Sequence, residues 1–303
     1  MDVVQATSIS RSYGETLAVD GLDLNVPEGQ IVAILGPNGA GKTTTIEMLL
    51  GLRRPDSGKV RLFARQPDSP YARARVGSML QDHVGPENLT VRETVALVRR
   101  YYPWALPVDG ILDRADLVGK QRSKIGELSG GQRQRLSFAL AIAGDPDLLF
   151  LDEPTAALDV VARTAFWQQV RAFATLGKTI LFSSHNLGET DDVADRIVVI
   201  DHGRLVADDT PAGIKGLVAD RTVHLTTDAS REELAAMDGV KALDAVDGTQ
   251  GESGSWVVQT RRPEHLLETL FSRGRTVTGL QVVETDLEAA FLHLTRASGE
   301  RAA

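Results

Sequence analysis

One eight-residue string constrains this chain more than any other feature. Gly36-Pro37-Asn38-Gly39-Ala40-Gly41-Lys42-Thr43 fits G-x-x-x-x-G-K-[ST] at every position. Before it stands Ile31–Leu35, a continuous β-branched and aliphatic run that reads as a strand buried on both faces. After it, Thr44–Leu52 continues with helical spacing. Strand, glycine loop and helix together open an α/β nucleotide-binding domain. The residue types follow from the chemistry. Glycines let backbone N–H groups converge on phosphate oxygens with no Cβ in the way, and the helix N-terminus adds positive dipole character. In this reading Lys42 sits on the β- and γ-phosphates and the Thr43 hydroxyl meets Mg²⁺. Thr44 reaches a phosphate oxygen through its own N–H and hydroxyl.

Two further segments read on the same logic. Leu148–Leu151 is an apolar run that ends directly in Asp152-Glu153. Both carboxylates then lie at the carboxyl end of a buried strand, beside the phosphate loop. There Asp152 can hold Mg²⁺, directly or through its waters, and Glu153 can polarise an attacking water as general base. Leu128-Ser129-Gly130-Gly131-Gln132 forms a second glycine loop before a helix through Arg133, Leu136 and Leu140. It is another anion-ready helix start, and one nucleotide does not need both loops from the same side.

With these strings in place the chain resembles the ATP-binding-cassette ATPases, the nucleotide-binding subunits of ABC transporters, over roughly residues 1–215. The matching positions are the phosphate loop, Gln81, Leu128–Gln132, Leu148–Glu153, Ala157-Leu158-Asp159 and His185. The resemblance implies two such domains facing head to tail, with each ATP between one chain's phosphate loop and the other chain's Ser129, Gly130, Gly131 and Gln132. It further implies that Tyr13 stacks on adenine and that Gln81 touches Mg²⁺ and senses the transport partner. Asp159 links the two sites, and His185 contacts the γ-phosphate. With Glu153 and His185 both present, the resemblance implies a site competent for ATP hydrolysis.

The rest of the chain is read for organisation. Residues from about 82 to 144 have mostly helical spacing and form a helical subdomain. Ile180–Ser184 reads as a buried strand, and Ile197–Ile200 pairs with Leu205–Ala207 through Asp201-His202-Gly203 as a hairpin. No internal repeat is visible. Beyond a change near 215–221, strands Thr222–Thr226, Val240–Val246, Trp256–Thr260 and Thr276–Val283 alternate with helices Arg231–Met237 and Pro263–Arg273. The glycine- and serine-rich turn Gly248–Ser255 separates the middle strands. That order, βαββαβ, is the ferredoxin-like plan. A capping box at Thr285-Asp286-Leu287-Glu288 starts a last helix to about Leu294, and the polar tail after Arg296 is expected to fray. The expected fold is therefore a P-loop cassette ATPase core at 1–215, with a parallel sheet, an antiparallel β subdomain and a helical subdomain. A small α+β ferredoxin-like domain at 221–296 and a tail at 297–303 follow. This extension resembles that of ABC-2-type exporter ATPases similar to the daunorubicin-resistance ATPase.

Composition sets the outer limits. Lys+Arg is 33 against Asp+Glu 41, a net charge of −8. Phosphate-backbone recognition needs clustered Lys and Arg, so DNA and RNA are poor partners. With no Cys, disulfides and zinc–thiolate sites are excluded. No signal-like N-terminus is visible, and no apolar run approaches the ~18–20 residues of a membrane span. A separate transmembrane permease must do the crossing. The expected setting is the cytoplasmic face of the cell membrane, with ATP and Mg²⁺ as ligands and a homodimer in the ATP-bound state. Tyr101, Tyr102 and Trp104 form an aromatic cluster in the helical subdomain, suited either to docking that permease or to the subdomain core. Two other classes stay open on the residues: a soluble cassette ATPase acting on DNA or the ribosome, and a nucleotide-sensing module that does not hydrolyse.

Overall fold

The computed structural model describes residues 1–80, 85–156, 158–217, 221–246, 254–283 and 287–302. Gln81, Ala157, Thr285-Asp286 and most of the Gly248–Ser255 turn lie outside the described residues.

Two compact units divide the chain: Met1–Pro211 with Ser298–Ala303, and Ala212–Ala297. The first runs β1 (Asp2–Tyr13), β2 (Thr16–Pro27), β3 (Ile31–Leu35), α1 (Lys42–Leu49), β4 (Ser57–Leu62), α2 (Pro70–Arg73), β5 (Val76–Met79), α3 (Val91–Val98), α4 (Val108–Arg114), α5 (Gly130–Ile142), β6 (Leu148–Asp152), α6 (Val160–Ala174), β7 (Thr179–Ser183), α7 (Leu187–Val193), β8 (Arg196–Asp201) and β9 (Arg204–Asp209). Short 3₁₀ turns punctuate the helical stretch between α3 and α5.

A six-stranded sheet has the order β5-β6-β7-β3-β8-β9. All its pairs are parallel except β8 with β9. Every residue of β3, β6 and β7 is buried, which is why Ile31–Leu35, Leu148–Leu151 and Ile180–Phe182 are unbroken apolar runs rather than alternations. A second, antiparallel sheet has the order β2-β1-β4. Its inward residues Val4, Ile9, Leu22 and Leu24 share one core with Val32, Ile34, Phe150 and Ile200 of the first sheet and with Ile46, Met48 and Leu49 of α1. Each such side chain taken fully from water contributes about 1.5–3 kcal/mol. The helix that carries the phosphate loop is therefore wedged between two sheets.

The β8–β9 turn places His202 at φ 47° and Gly203 at φ 76°, the left-handed pair that a two-residue hairpin turn requires. Gly203 N–H donates to Ala40 O (3.0 Å), and Asp20 N–H donates to Gly203 O (2.9 Å). The turn thus braces the phosphate loop against β2.

Helix α8 (Pro211–Leu217) spans the boundary. The second unit holds β10 (Arg221–Thr227), α9 (Arg231–Ala235), β11 (Val240–Ala245), β12 (Gly254–Thr260), α10 (Pro263–Ser272), β13 (Val277–Val283) and, as far as Ala297, α11 (Leu287–Ala302). Its sheet is antiparallel throughout, ordered β11-β12-β10-β13. That is the ferredoxin-like arrangement. Val223, Leu225 and Val258 pack on Leu234, Met237, Leu266 and Leu270.

Two sequence expectations need correction. Helix α11 runs to Ala302 rather than ending near Leu294 with a frayed tail. No proline interrupts the stretch, and its Ala, Arg and Glu residues are good helix formers. Helix α9 stops at Ala235, two residues short of Met237. Strands β4 and β5 were not read from the sequence. The first opens Ser57-Gly58 and shows only one fully buried residue, and the second is four residues long.

Candidate functional site

The parallel order sets the site. Strand β7 lies between β6 and β3, so the carboxyl ends of these three strands meet beside the loop that follows β3. Gly36 is forced there: an added Cβ would stand 2.3 Å from Ile200 O. Gly41 is forced twice, by φ +100° and by Ala18 O at 2.3 Å from any Cβ. Ala40 is buried, whereas Pro37, Asn38 and Gly39 are exposed. Gly41 caps α1 with no side-chain hydrogen bond. The first-turn amides of Lys42, Thr43 and Thr44 therefore face an entering anion with no side chain competing for them.

Lys42 is 7% exposed. Its Nζ donates to Gly36 O (2.7 Å) and Pro37 O (3.1 Å), which folds the ammonium back onto the loop that it belongs to. Burial pushes its pKa down, and the nearby carboxylates of Glu153 and Asp152 counter part of that.

Asp152 ends β6 and is 3% exposed. The Thr43 hydroxyl donates to its Oδ2 (3.3 Å), and the Ser183 hydroxyl at the end of β7 donates to its Oδ1. A hydroxyl and a carboxylate are hard oxygen donors of the kind Mg²⁺ takes. No three His, Cys, Asp or Glu gather as a metal cluster among the described residues. The donor set therefore fits an ion that draws its other ligands from phosphate and water. Glu153 follows at φ 47°, a left-handed conformation that costs a non-glycine residue about 1 kcal/mol or more. Its N–H donates to Ser183 Oγ (3.0 Å), which helps hold the turn that lifts the carboxylate off the strand. Glu153 Oε2 is 3.6 Å from His185 Nδ1, and the His185 ring is 61% exposed. The structure thus brings Lys42, Thr43, Asp152, Glu153 and His185 to one sheet edge.

Tyr13, Ser129 and Asp159 stand on other elements, β1 and the starts of α5 and α6. Tyr13 is 40% exposed, at the end of β1. The guanidinium carbons of Arg11 and Arg53 stand 5.4 and 5.2 Å from its ring centre, so the ring already serves as a cation platform. Ser129 is the N-cap of α5 and exposed; it accepts from Gln132 N–H, and Gln132 Oε1 accepts from Ser129 N–H. Gly130 is exposed and Gly131 half-buried. Asp159 caps α6, accepting from Ala162 N–H at 2.8 Å. Gln81 lies outside the described residues. Of the aromatic cluster, Tyr101 and Trp104 are exposed. Tyr102 packs so close to Gly144 that a Cβ there would stand 2.3 Å from its ring.

Two ties escaped the sequence. Ser183 holds both acidic residues, and Gln134 of α5 donates to Pro154 O just past Glu153. The only signal for Ser183 was its place at the end of an apolar strand. Nothing in the sequence marked Gln134.

Known proteins match this arrangement. The family model described as ABC transporter covers residues 19–156. The Nod factor export ATP-binding protein I of Burkholderia orbicola (strain AU 1054) is 42% identical over 212 residues, which is 67% of this chain and 69% of that protein. The daunorubicin resistance ATP-binding protein of Streptomyces coeruleorubidus is 37% identical over 307 residues, covering 96% of this chain and 94% of that protein. Among solved structures, a dimeric ATP-binding cassette in a post-hydrolysis state with ADP and Pi superposes with a TM-score of 0.62 at 26% identity, over 68% of this chain and 98% of that one. With a complete phosphate loop, an acidic pair on the adjoining strand end and relatives that align along most of its length, the chain belongs to the ABC transporter family as one of its ATP-binding ATPase subunits.

Proposed function

We propose that this ATPase powers an exporter of drug-like or other hydrophobic compounds, working from the cytoplasmic face of the membrane on a separate transmembrane subunit. Two relatives, named for Nod factor export and for daunorubicin resistance, support the direction. The second aligns along the C-terminal unit as well as the cassette. No described helix is long and apolar enough to cross a membrane, which fits a division of labour between two chains.

The observation that carries the mechanism is the convergence of Lys42, Thr43, Asp152, Glu153 and His185 at one strand edge. Lys42 releases the loop carbonyls and takes the β- and γ-phosphates of ATP, joined by the amides at the start of α1. Thr43, Asp152 and Gln81 hold Mg²⁺, which when bound supplies positive charge to the phosphate oxygens. Tyr13 offers its ring to the adenine. Ser129, Gly130, Gly131 and Gln132 of a second copy close over the same nucleotide, and Asp159 connects the two sites. Glu153 orients the attacking water and accepts its proton, while His185 and Lys42 stabilise the charge that develops on the γ-phosphate. Closure of the dimer on ATP and its reopening after hydrolysis move the membrane subunit, since nucleotide binds the two states with different free energies.

The deciding experiment is Glu153→Gln in the full chain. ATP binding is expected to persist, turnover to fall by at least about a hundredfold, and an ATP-dependent dimer to accumulate on size exclusion. Wild-type turnover in that variant would refute the role given to Glu153.

A further inference from the structure

A carboxylate that touches none of the phosphate-facing groups ties three of the site's segments together. Glu189 lies in the first turn of α7, four residues after His185, and its side chain is 8% exposed. Its Oε2 accepts from the Thr155 hydroxyl (2.7 Å) and from the Trp167 indole N–H (2.7 Å). Its Oε1 stands 2.7 Å from Arg163 Nε. Thr155 is two residues past Glu153. Arg163 and Trp167 belong to α6, the helix that Asp159 caps, and Arg163 also reaches back to Leu158 O (3.4 Å). One buried charge thus joins the loop that carries Glu153, the helix headed by Asp159 and the helix that follows His185.

We propose that Glu189 is a positioning residue for hydrolysis, holding Glu153 and His185 in register with each other and with the Asp159 segment. The physical reason lies in the donor count. Two donors, the Thr155 hydroxyl and the Trp167 indole, converge on Oε2, while the Arg163 guanidinium stands against Oε1 as an ion pair without a hydrogen bond; hydrogen bonds to an ionised acceptor are about twice as strong as neutral ones. Glutamine cannot replace the carboxylate. Its oxygen accepts from one side, but its NH₂ then meets either the hydroxyl and indole donors or the guanidinium, which has no acceptor. The node borders a groove of about 340 Å³ lined by Arg163, Thr164, Trp167, Gln168, Glu189 and Asp192, among others. A second tie extends the same path, since Gln134 of α5 donates to Pro154 O. The helix headed by Ser129 is thereby linked to the residue before Thr155.

This proposal rests on the hydrolytic role of Glu153 and His185. The test uses the full-length wild-type chain, Glu189→Gln and the gentler Thr155→Val, which keeps the side-chain shape and removes one donor. For Glu189→Gln, assayed well below its thermal midpoint, kcat is expected to fall roughly tenfold or more, with KM for ATP held near wild type and the midpoint itself lowered by the mispaired amide. Thr155→Val follows in the same direction by a smaller factor. Trp167 supplies an independent signal. In a Trp104→Phe/Trp256→Phe background, Mg-ATP is expected to change Trp167 emission, and Glu189→Gln to remove that change. Wild-type kcat in both variants overturns the proposal. So does a fall in kcat matched by an equal loss of ATP affinity, which is what a purely structural role gives. If Glu189→Gln does not fold, Thr155→Val decides by the same split. A Glu153→Gln sample run in parallel reports on the underlying site: wild-type turnover there faults the hydrolytic reading, not Glu189.

Discussion

At the scale of single residues, one hydroxyl organises the acidic pair. Ser183 Oγ donates to Asp152 and accepts from Glu153 N–H, and the residue is fully buried. Ser183→Ala leaves a buried carboxylate oxygen and a backbone N–H each short of a partner. The expected cost is about 1–3 kcal/mol of unfolding free energy, read from the cassette unit's own transition in a urea titration, together with a raised KM for Mg-ATP. An unchanged urea midpoint would show that water replaces the hydroxyl at no cost. Lys42 shows the opposite balance. Burial lowers its pKa, so the folded protein carries a penalty for the protonated ammonium. That penalty is fully present below the folded pKa and is relieved as pH rises toward the unfolded value near 10.5. Lys42, Asp152 and Glu153 were legible in the sequence because motif and strand end are local. The Ser183 tie was not, because it joins neighbouring strands 31 residues apart.

At the scale of elements, helix starts do two jobs. The Thr90–Glu93 and Ser129–Gln132 capping boxes satisfy the N-terminal amides of α3 and α5 from within each helix. Yet Ser129 is exposed at a helix start that the proposed dimer turns toward a partner's phosphate. The two jobs separate in Ser129→Asp. Aspartate caps a helix about as well as serine, so stability should stay within about 0.5 kcal/mol. Its charge opposes a phosphate, so the ATP-dependent dimer of the Glu153→Gln background should be lost. Retention of that dimer on size exclusion would remove Ser129 from the interface. Strands β3, β6 and β7 were readable because burial on both faces leaves one unmistakable apolar run. Strand β4 was not, because its residues are mostly exposed and its pairing partner β1 supplies the order.

For the molecule as a whole, each of the two units carries an apolar core of its own. The cassette core mixes both sheets with α1, and the C-terminal unit has its own apolar cluster. Such a chain should not unfold as a single two-state system. Coupling to a membrane subunit needs an outward surface, and Tyr101 and Trp104 supply aromatic area at 78% and 63% exposure. Large exposed aromatics anchor interfaces by filling a partner's pocket. Trp104→Ala is expected to weaken co-purification with the transmembrane subunit by tenfold or so, the ~1.4 kcal/mol of a modest anchor, while ATP binding stays intact. Unchanged co-purification would assign the cluster to local packing.

Sequence alone determined the chemistry of the phosphate loop, the acidic strand end and the βαββαβ order of the second unit. Each of these is written in neighbouring residues, where spacing, glycine placement and apolar periodicity act over a few positions. Tertiary structure decided which strand ends lie side by side, which hydroxyl holds Asp152, and that Glu189 gathers Thr155, Arg163 and Trp167. Those contacts join residues far apart in the chain, and the parallel order of β6, β7 and β3, each buried on both faces, sets the strand ends and the helices that follow them side by side.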